Sequence, residues 1–155
     1  MRIQHADSPQ FADLVRALFR EYSASVKADF CFRGFEDELA ALPGEYARPA
    51  GRLLLAFDGN AGDVAGCGAF RRLENDICEM KRLYVRPAYR GKSFGAQLAH
   101  ALIENAREAG YAGMRLDTMP SMARAIALYR SLGFREIECY RVNPMVGALF
   151  FELDL

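Results

Sequence analysis

The chain has 155 residues, 52% of them hydrophobic and 26% charged, with 13 Gly and 6 Pro. That length suits a single domain over residues 1–155, able to bury roughly 68–70% of the surface its unfolded chain exposes, and the apolar content excludes a disordered chain. Twenty Lys and Arg against twenty Asp and Glu leave a formal net charge of zero, so no global field draws in nucleic acid or an anionic membrane.

The longest apolar runs, such as residues 53–57, fall far short of the roughly 20 residues that cross a bilayer. The opening Met1-Arg2-Ile3-Gln4-His5-Ala6-Asp7 turns polar at once, without the apolar core of a secretory signal. The expectation is a soluble cytoplasmic domain that binds neither nucleic acid nor membrane. Cys31, Cys67, Cys78 and Cys139 are scattered, and His5 and His100 complete the soft-ligand inventory. No metal-ligand spacing exists, so neither a metal nor a disulfide framework is expected, and the cysteines read as small apolar residues in strands.

In chain order, Ile3 marks a short first strand, and Ser8-Pro9 supplies an N-cap and first-turn proline for a helix whose stripe is Phe11, Leu14, Val15, Leu18 and Phe19. A second short helix covers residues 35–42 and stops before Pro43-Gly44, with a loop to residue 51. Strands follow at 53–57, closed by the turn Asp58-Gly59-Asn60, and at 64–70, rich in small residues. The next strand, 77–85, places Ile77, Leu83 and Val85 on one face and Cys78, Met80 and Tyr84 on the other. A loop over 86–91 leads into a long helix at 93–109, with Phe94, Leu98, Ala101, Leu102 and Asn105 along one stripe and Gly110 as its stop. A strand at 114–119, a helix at 120–132 closed by Gly133, and strands at 134–140 and 148–153 complete the chain. The order β-α-α-β-β-β-α-β-α-β-β is a mixed sheet with helices packed on it, in the α/β to α+β range.

The most informative stretch is Met80 through Ala96, where a strand delivers a Gly-containing loop into a helix N-terminus. Unpaired amides and the helix dipole make such a junction a phosphate site. Lys81, Arg82, Arg86, Arg90 and Lys92 fall within it with no acidic residue between them, a local concentration of positive charge on a neutral chain; a solvated basic loop before an ordinary helix is the plainer alternative. Gly91-Lys92-Ser93 echoes the end of a P-loop, but that motif needs glycine where Arg86 stands, and GxGxxG is absent.

Arg90-Gly91-Lys92-Ser93-Phe94-Gly95 resembles the [RQ]xxGx[GA] pyrophosphate loop of the GNAT superfamily of acyl-CoA N-acyltransferases. Lys81-Arg82-Leu83-Tyr84-Val85 resembles that family's fourth strand, and Ala125-Ile126-Ala127-Leu128-Tyr129-Arg130-Ser131-Leu132-Gly133-Phe134 its A-x-x-L-Y-x-x-x-G-F helix. The resemblance covers nearly the whole chain and implies the GNAT fold: a central mixed, mostly antiparallel sheet of six to seven strands flanked by about four helices. Two positions depart from the pattern. Ser93 replaces the first loop glycine, and Met122 stands where Asn is common before the last helix, which leaves that cofactor contact either missing or moved to Ser121.

The resemblance implies acetyl-CoA as cosubstrate, with its pantetheine on Leu83, Tyr84 and Val85 and its pyrophosphate on Arg90, Gly91, Lys92, Ser93, Phe94, Gly95 and Ala96. It implies Tyr129 as general acid for the departing thiolate, since a phenol of pKa about 10 keeps its proton at neutral pH; a helix-anchoring tyrosine is the other reading. Glu79 is the implied base for the amine, against the alternative of a carboxylate paired with Lys81 or Arg115. Asp117 is a rival for base or substrate contact, and His100 reads as a packing or surface residue. The acidic segment 33–45, with Glu36, Asp37, Glu38 and Glu45, borders the implied acceptor site and would suit a cationic acceptor or a solvated helix face. The loop 141–147 is a second wall. The implied activity is transfer of an acetyl group to a primary amine of a small molecule or protein by direct attack in a ternary complex. The alternative is a non-catalytic acyl-CoA sensor of the same fold, and the family's habits imply a homodimer.

Overall fold

The computed structural model describes residues 1–26, 34–59, 62–142 and 144–155; Cys31, Arg33, the turn residue Asn60 and the loop residue Asn143 lie outside the described residues. The strands are β1 (Arg2–His5), β2 (Arg52–Asp58), β3 (Asp63–Glu74), β4 (Ile77–Val85), β5 (Gly113–Thr118), β6 (Arg135–Ile137) and β7 (Leu149–Asp154), and the helices α1 (Ala12–Val26), α2 (Phe35–Ala41), α3 (Phe94–Glu108) and α4 (Ala123–Ser131). The expected element order holds throughout. One seven-stranded sheet runs β1-β2-β3-β4-β5-β7-β6, antiparallel at every junction except the parallel β4–β5 pair.

Helices cover both faces, which is why β2 reads as an unbroken apolar run rather than an alternating one. One face packs α3 and α4 through Phe94, Leu98, Leu102, Ile126 and Tyr129 against Phe70, Met80, Met114 and Phe151. The other packs α1 and α2 through Val15, Leu18, Phe19 and Leu39 against Leu53, Leu55, Cys67 and Tyr84. Each such side chain contributes roughly 1.5–3 kcal/mol relative to exposure. The α1 stripe is as expected. In α3 the buried stripe is Phe94, Leu98, Ala99, Leu102, Ile103 and Ala106, with the expected Ala101 partly buried against it; the expected Asn105 instead donates its amide to the Ala101 carbonyl at 2.8 Å. Ser8 makes no side-chain cap bond, and Pro9 opens a 3-10 turn before α1 rather than α1 itself.

The main departure lies in β4. Ala69 faces Lys81 and Cys67 faces Tyr84, so three steps on β4 answer two on β3, and Arg82 takes the left-handed φ of 58°. This bulge inverts the alternation beyond it. Leu83 and Val85 therefore join Cys78 and Met80 on the α3 face, while Tyr84 turns to the α1 face. The bulge presses its backbone onto β3: a Cβ on Gly66 would lie 2.2 Å from the Tyr84 carbonyl oxygen, so only glycine fits there. Cys67 and Cys78 are buried in strands as expected, whereas Cys139 is exposed. β6 keeps only three residues of its expected seven.

Candidate active site

β4 and β5 pair only at Ile77–Gly113, Cys78–Met114 and Glu79–Arg115. Beyond them the strands part, and from Met80 to Val85 β4 keeps β3 on one side while no described residue of β5 pairs with its other side. The gap opens a cleft lined by Met80, Lys81, Arg82 and Leu83 from β4, by Leu116, Asp117 and Thr118 from β5, and by Tyr129 from α4. Tyr22 and Val26 of α1 and Met145 of the loop before β7 close its sides. Including the part open to solvent, the space between these residues is about 650 Å³. Met119 and Met122 join Met80 and Met145 in an adaptable apolar wall, and the Met122 sulfur accepts the Thr118 hydroxyl at 3.5 Å.

The unpaired edge of β4 leads straight to the N-terminus of α3. Ser93 caps it in the left-handed conformation (φ 63°) with no side-chain cap bond, and the first turn carries no acidic residue. The first amides of α3 therefore lack intrahelical partners and point outward, as an anion site requires. Gly91, at φ 80° with open space around its Cβ position, lets the loop turn into that helix. The Phe94 ring is buried and meets Tyr89 edge-on at 5.8 Å, so Phe94 offers its amide rather than its ring. The Tyr84 ring packs on Tyr22 at 5.7 Å, on the α1 side of the sheet.

The five clustered cations do not act together. Arg82 is closed on Glu38 through two bonds of 2.9 and 2.5 Å, and Arg86 on Glu21 at 2.7 and 2.9 Å. Arg90 and Lys92 stay by the helix start: Arg90 Nε donates to the Val85 carbonyl at 3.0 Å, and Lys92 Nζ lies 5.5 Å over the Tyr89 ring and 3.8 Å from Asp58. Lys81 lines the cleft instead.

Tyr129 is 7% exposed and meets Phe134 edge-on at 5.8 Å. Its hydroxyl makes no hydrogen bond to the described residues. Burial, reinforced by Tyr22 and Asp117, pushes the phenol above its ordinary value of 10, so the hydroxyl holds its proton throughout the neutral range.

Glu79 is fully buried and outside the cleft lining. It accepts from Arg71 Nε at 3.1 Å, from the Tyr140 hydroxyl at 2.9 Å and from the Arg141 guanidinium. The same guanidinium reaches Asp117 Oδ1 at 3.5 Å, and Arg71 continues to Glu45 at 2.6 Å. The carboxylate that reaches the cleft is Asp117.

A sequence and structure with this architecture match known proteins. Residues 12–134 match the model of the acetyltransferase (GNAT) family. The chain is 36% identical over 148 residues to an uncharacterized N-acetyltransferase of Schizosaccharomyces pombe, covering 95% of this chain and 90% of that one. It is 32% identical over 138 residues to an uncharacterized N-acetyltransferase of Escherichia coli K12, with 88% and 81% covered. Its fold is similar to that of an acetyltransferase of the GNAT family from Staphylococcus aureus Mu50, with a TM-score of 0.80, 21% identity and 99% and 98% of the two chains covered. The chain belongs to the GNAT acetyltransferase family.

Seen as a GNAT chain, the expected site divides. Leu83, Tyr129 and Asp117 line the cleft, whereas Tyr84, Val85 and the loop 90–96 lie outside its lining, further along the chain from Leu83 toward α3. Glu79 sits outside the lining as the hub of a hydrogen-bonded network. Three carboxylates of the acidic segment are taken up by internal pairs: Glu36 bonds Arg20 at 2.8 Å, Glu38 bonds Arg82 and the Tyr46 hydroxyl, and Glu45 bonds Arg71, while Asp37 is exposed. None of these carboxylates lines the cleft. His100 is exposed on α3. Sequence reasoning named the loop 141–147 as a wall but missed Tyr140 and the tie from Arg141 to Glu79, because contacts 61 and 62 residues apart leave no periodic signal. It also missed Lys81 as a cleft residue, although its place two residues after Glu79 put both on one strand face.

Proposed function

We propose that this GNAT chain transfers an acetyl group from acetyl-CoA to a primary amine of a small molecule or protein, by direct attack with both substrates bound. One observation carries the reading: the unpaired edge of β4 runs into the uncapped N-terminus of α3, beside the same cleft that holds the unbonded hydroxyl of Tyr129. The first amides of α3, in Phe94, Gly95 and Ala96, with Gly91, Ser93, Arg90 and Lys92 beside them, suit a diphosphate. The edge of β4 at Leu83 and Val85, which no described residue of β5 pairs, suits an extended amide chain such as pantetheine, paired as an added strand.

In this reading acetyl-CoA supplies an acyl carbon already activated as a thioester. The cleft aligns the amine with that carbon, so the new C–N bond forms as the C–S bond breaks. Asp117 takes the proton the ammonium loses, directly or through water, because it is the carboxylate on the cleft wall. Tyr129 gives its phenolic proton to the sulfur that leaves. Glu79 holds Arg71, Tyr140 and Arg141 in place behind that wall.

The experiment is thiol release from acetyl-CoA with a panel of amines, run on the wild-type chain and on Tyr129→Phe. Acceptor-dependent release in the wild type is the expected result. Tight coenzyme A binding without release for any amine would show a non-catalytic binder.

A further inference from the structure

One charged group on the cleft wall is only loosely paired. Lys81 is 15% exposed in its side chain, and its closest carboxylate oxygen, Asp117 Oδ1, lies 3.9 Å away. Its Nζ makes no hydrogen bond to the described residues, although an ammonium carries three donors. Taking such a cation out of water without donors satisfied is costly. Burial accordingly pulls the Lys81 pKa down; Glu79 on β4 and Asp117 on β5 oppose this, while Arg141 and Arg82 add to it. An incoming anion would repair that deficit.

The surrounding charges also balance. Arg71, Lys81 and Arg141 are linked with Glu45, Glu79 and Asp117 in one network, three of each sign. A bare ammonium would leave this neutral cluster with an excess positive charge. A molecule that brings an ammonium and a carboxylate together leaves it neutral and can meet Asp117 and Lys81 at once. We propose that the acceptor is a free amino acid, whose carboxylate docks on the Lys81 ammonium while its amino group faces Asp117. This inference rests on the transferase reading of the cleft and names the substrate class of that same site.

The test compares L-amino acids with their carboxamides, which keep the amine and side chain but lack the charge. kcat/KM is measured for both series by thiol release from acetyl-CoA, in the wild type and in Lys81→Met, with Lys81→Gln as the second variant should the first not fold. The ratio of acid to amide, compared between proteins, cancels the intrinsic reactivity of each amine. Loss of a charge-assisted hydrogen bond is expected to lower that ratio roughly 10- to 100-fold in the variants. In the wild type, short carboxylates without an amine are expected to inhibit competitively against the amino acid. An unchanged ratio overturns the inference, as does absence of competitive inhibition, while amide turnover leaves the transferase reading standing. No thiol release with any member of either series overturns the transferase reading, and this inference falls with it.

Discussion

Ser93 offers a sharp test of the loop geometry. The residue sits at φ 63° and ψ 9°, where L side chains are disfavoured, and it makes no side-chain cap bond that would offset the strain. Its side chain is exposed, so removing it costs no packing. A non-glycine residue in this region carries about 1–2 kcal/mol of strain, while glycine gives back about 0.5–1 kcal/mol through the greater freedom of its unfolded chain. Ser93→Gly is therefore expected to stabilise by about 0.5–1 kcal/mol, a rise in Tm of roughly 1–4 °C for a chain of this size. Ser93→Ala keeps the Cβ and the strain and removes only an unbonded hydroxyl, so its Tm should stay within about 1 °C of the wild type by the same scale. Calorimetric or circular-dichroism melts of the three proteins decide the matter. Alanine and glycine variants with the same Tm would refute the assignment of strain to the backbone at this position.

Tyr129→Phe is expected to lower kcat about 10²–10⁴-fold with the melting temperature retained. Because burial raises the phenol above 10, the wild-type kcat profile should show no tyrosine limb below pH 10, and a limb near pH 8–9 that vanishes in the variant would contradict this. Glu79→Ala removes the acceptor shared by Arg71, Tyr140 and Arg141; leaving two half-buried guanidinium groups without it is expected to cost about 3 kcal/mol, read as a fall in the urea midpoint. At Glu38, burial pushes the carboxyl upward but the Arg82 pair more than offsets it, so it titrates below its ordinary 4.5. With the folded value below the unfolded one, this pair stabilises the fold above about pH 4.5, and the contribution fades as pH falls through the folded value. Glu38→Gln should thus lose stability at pH 7 and show a shallower further loss on acidification to pH 3, in urea titrations at both pH values.

The succession of elements, the two-sided burial of β2 and the junction of β4 with α3 were all legible in the residues, because each depends on local periodicity and on Gly and Pro at turns. Tyr129 fell within the helix, and the loop 90–96 within the strand-to-helix junction, that the residues marked. The inverted face of β4 was not legible. Regular alternation assigns Leu83 and Tyr84 from the residues before them, and the extra residue at Arg82 is fixed only by how β3 and β4 register against each other. The roles of the carboxylates were likewise a matter of tertiary structure. Glu36, Glu38 and Glu45 read as one acidic surface along the chain, yet each meets an arginine brought from another element. Glu79 and Asp117 are equal as residue types. The parting of β4 from β5 just beyond Glu79 leaves one enclosed by Arg71 and Arg141 and opens the cleft in front of the other, because strand pairing and its end are properties of two strands and not of either sequence.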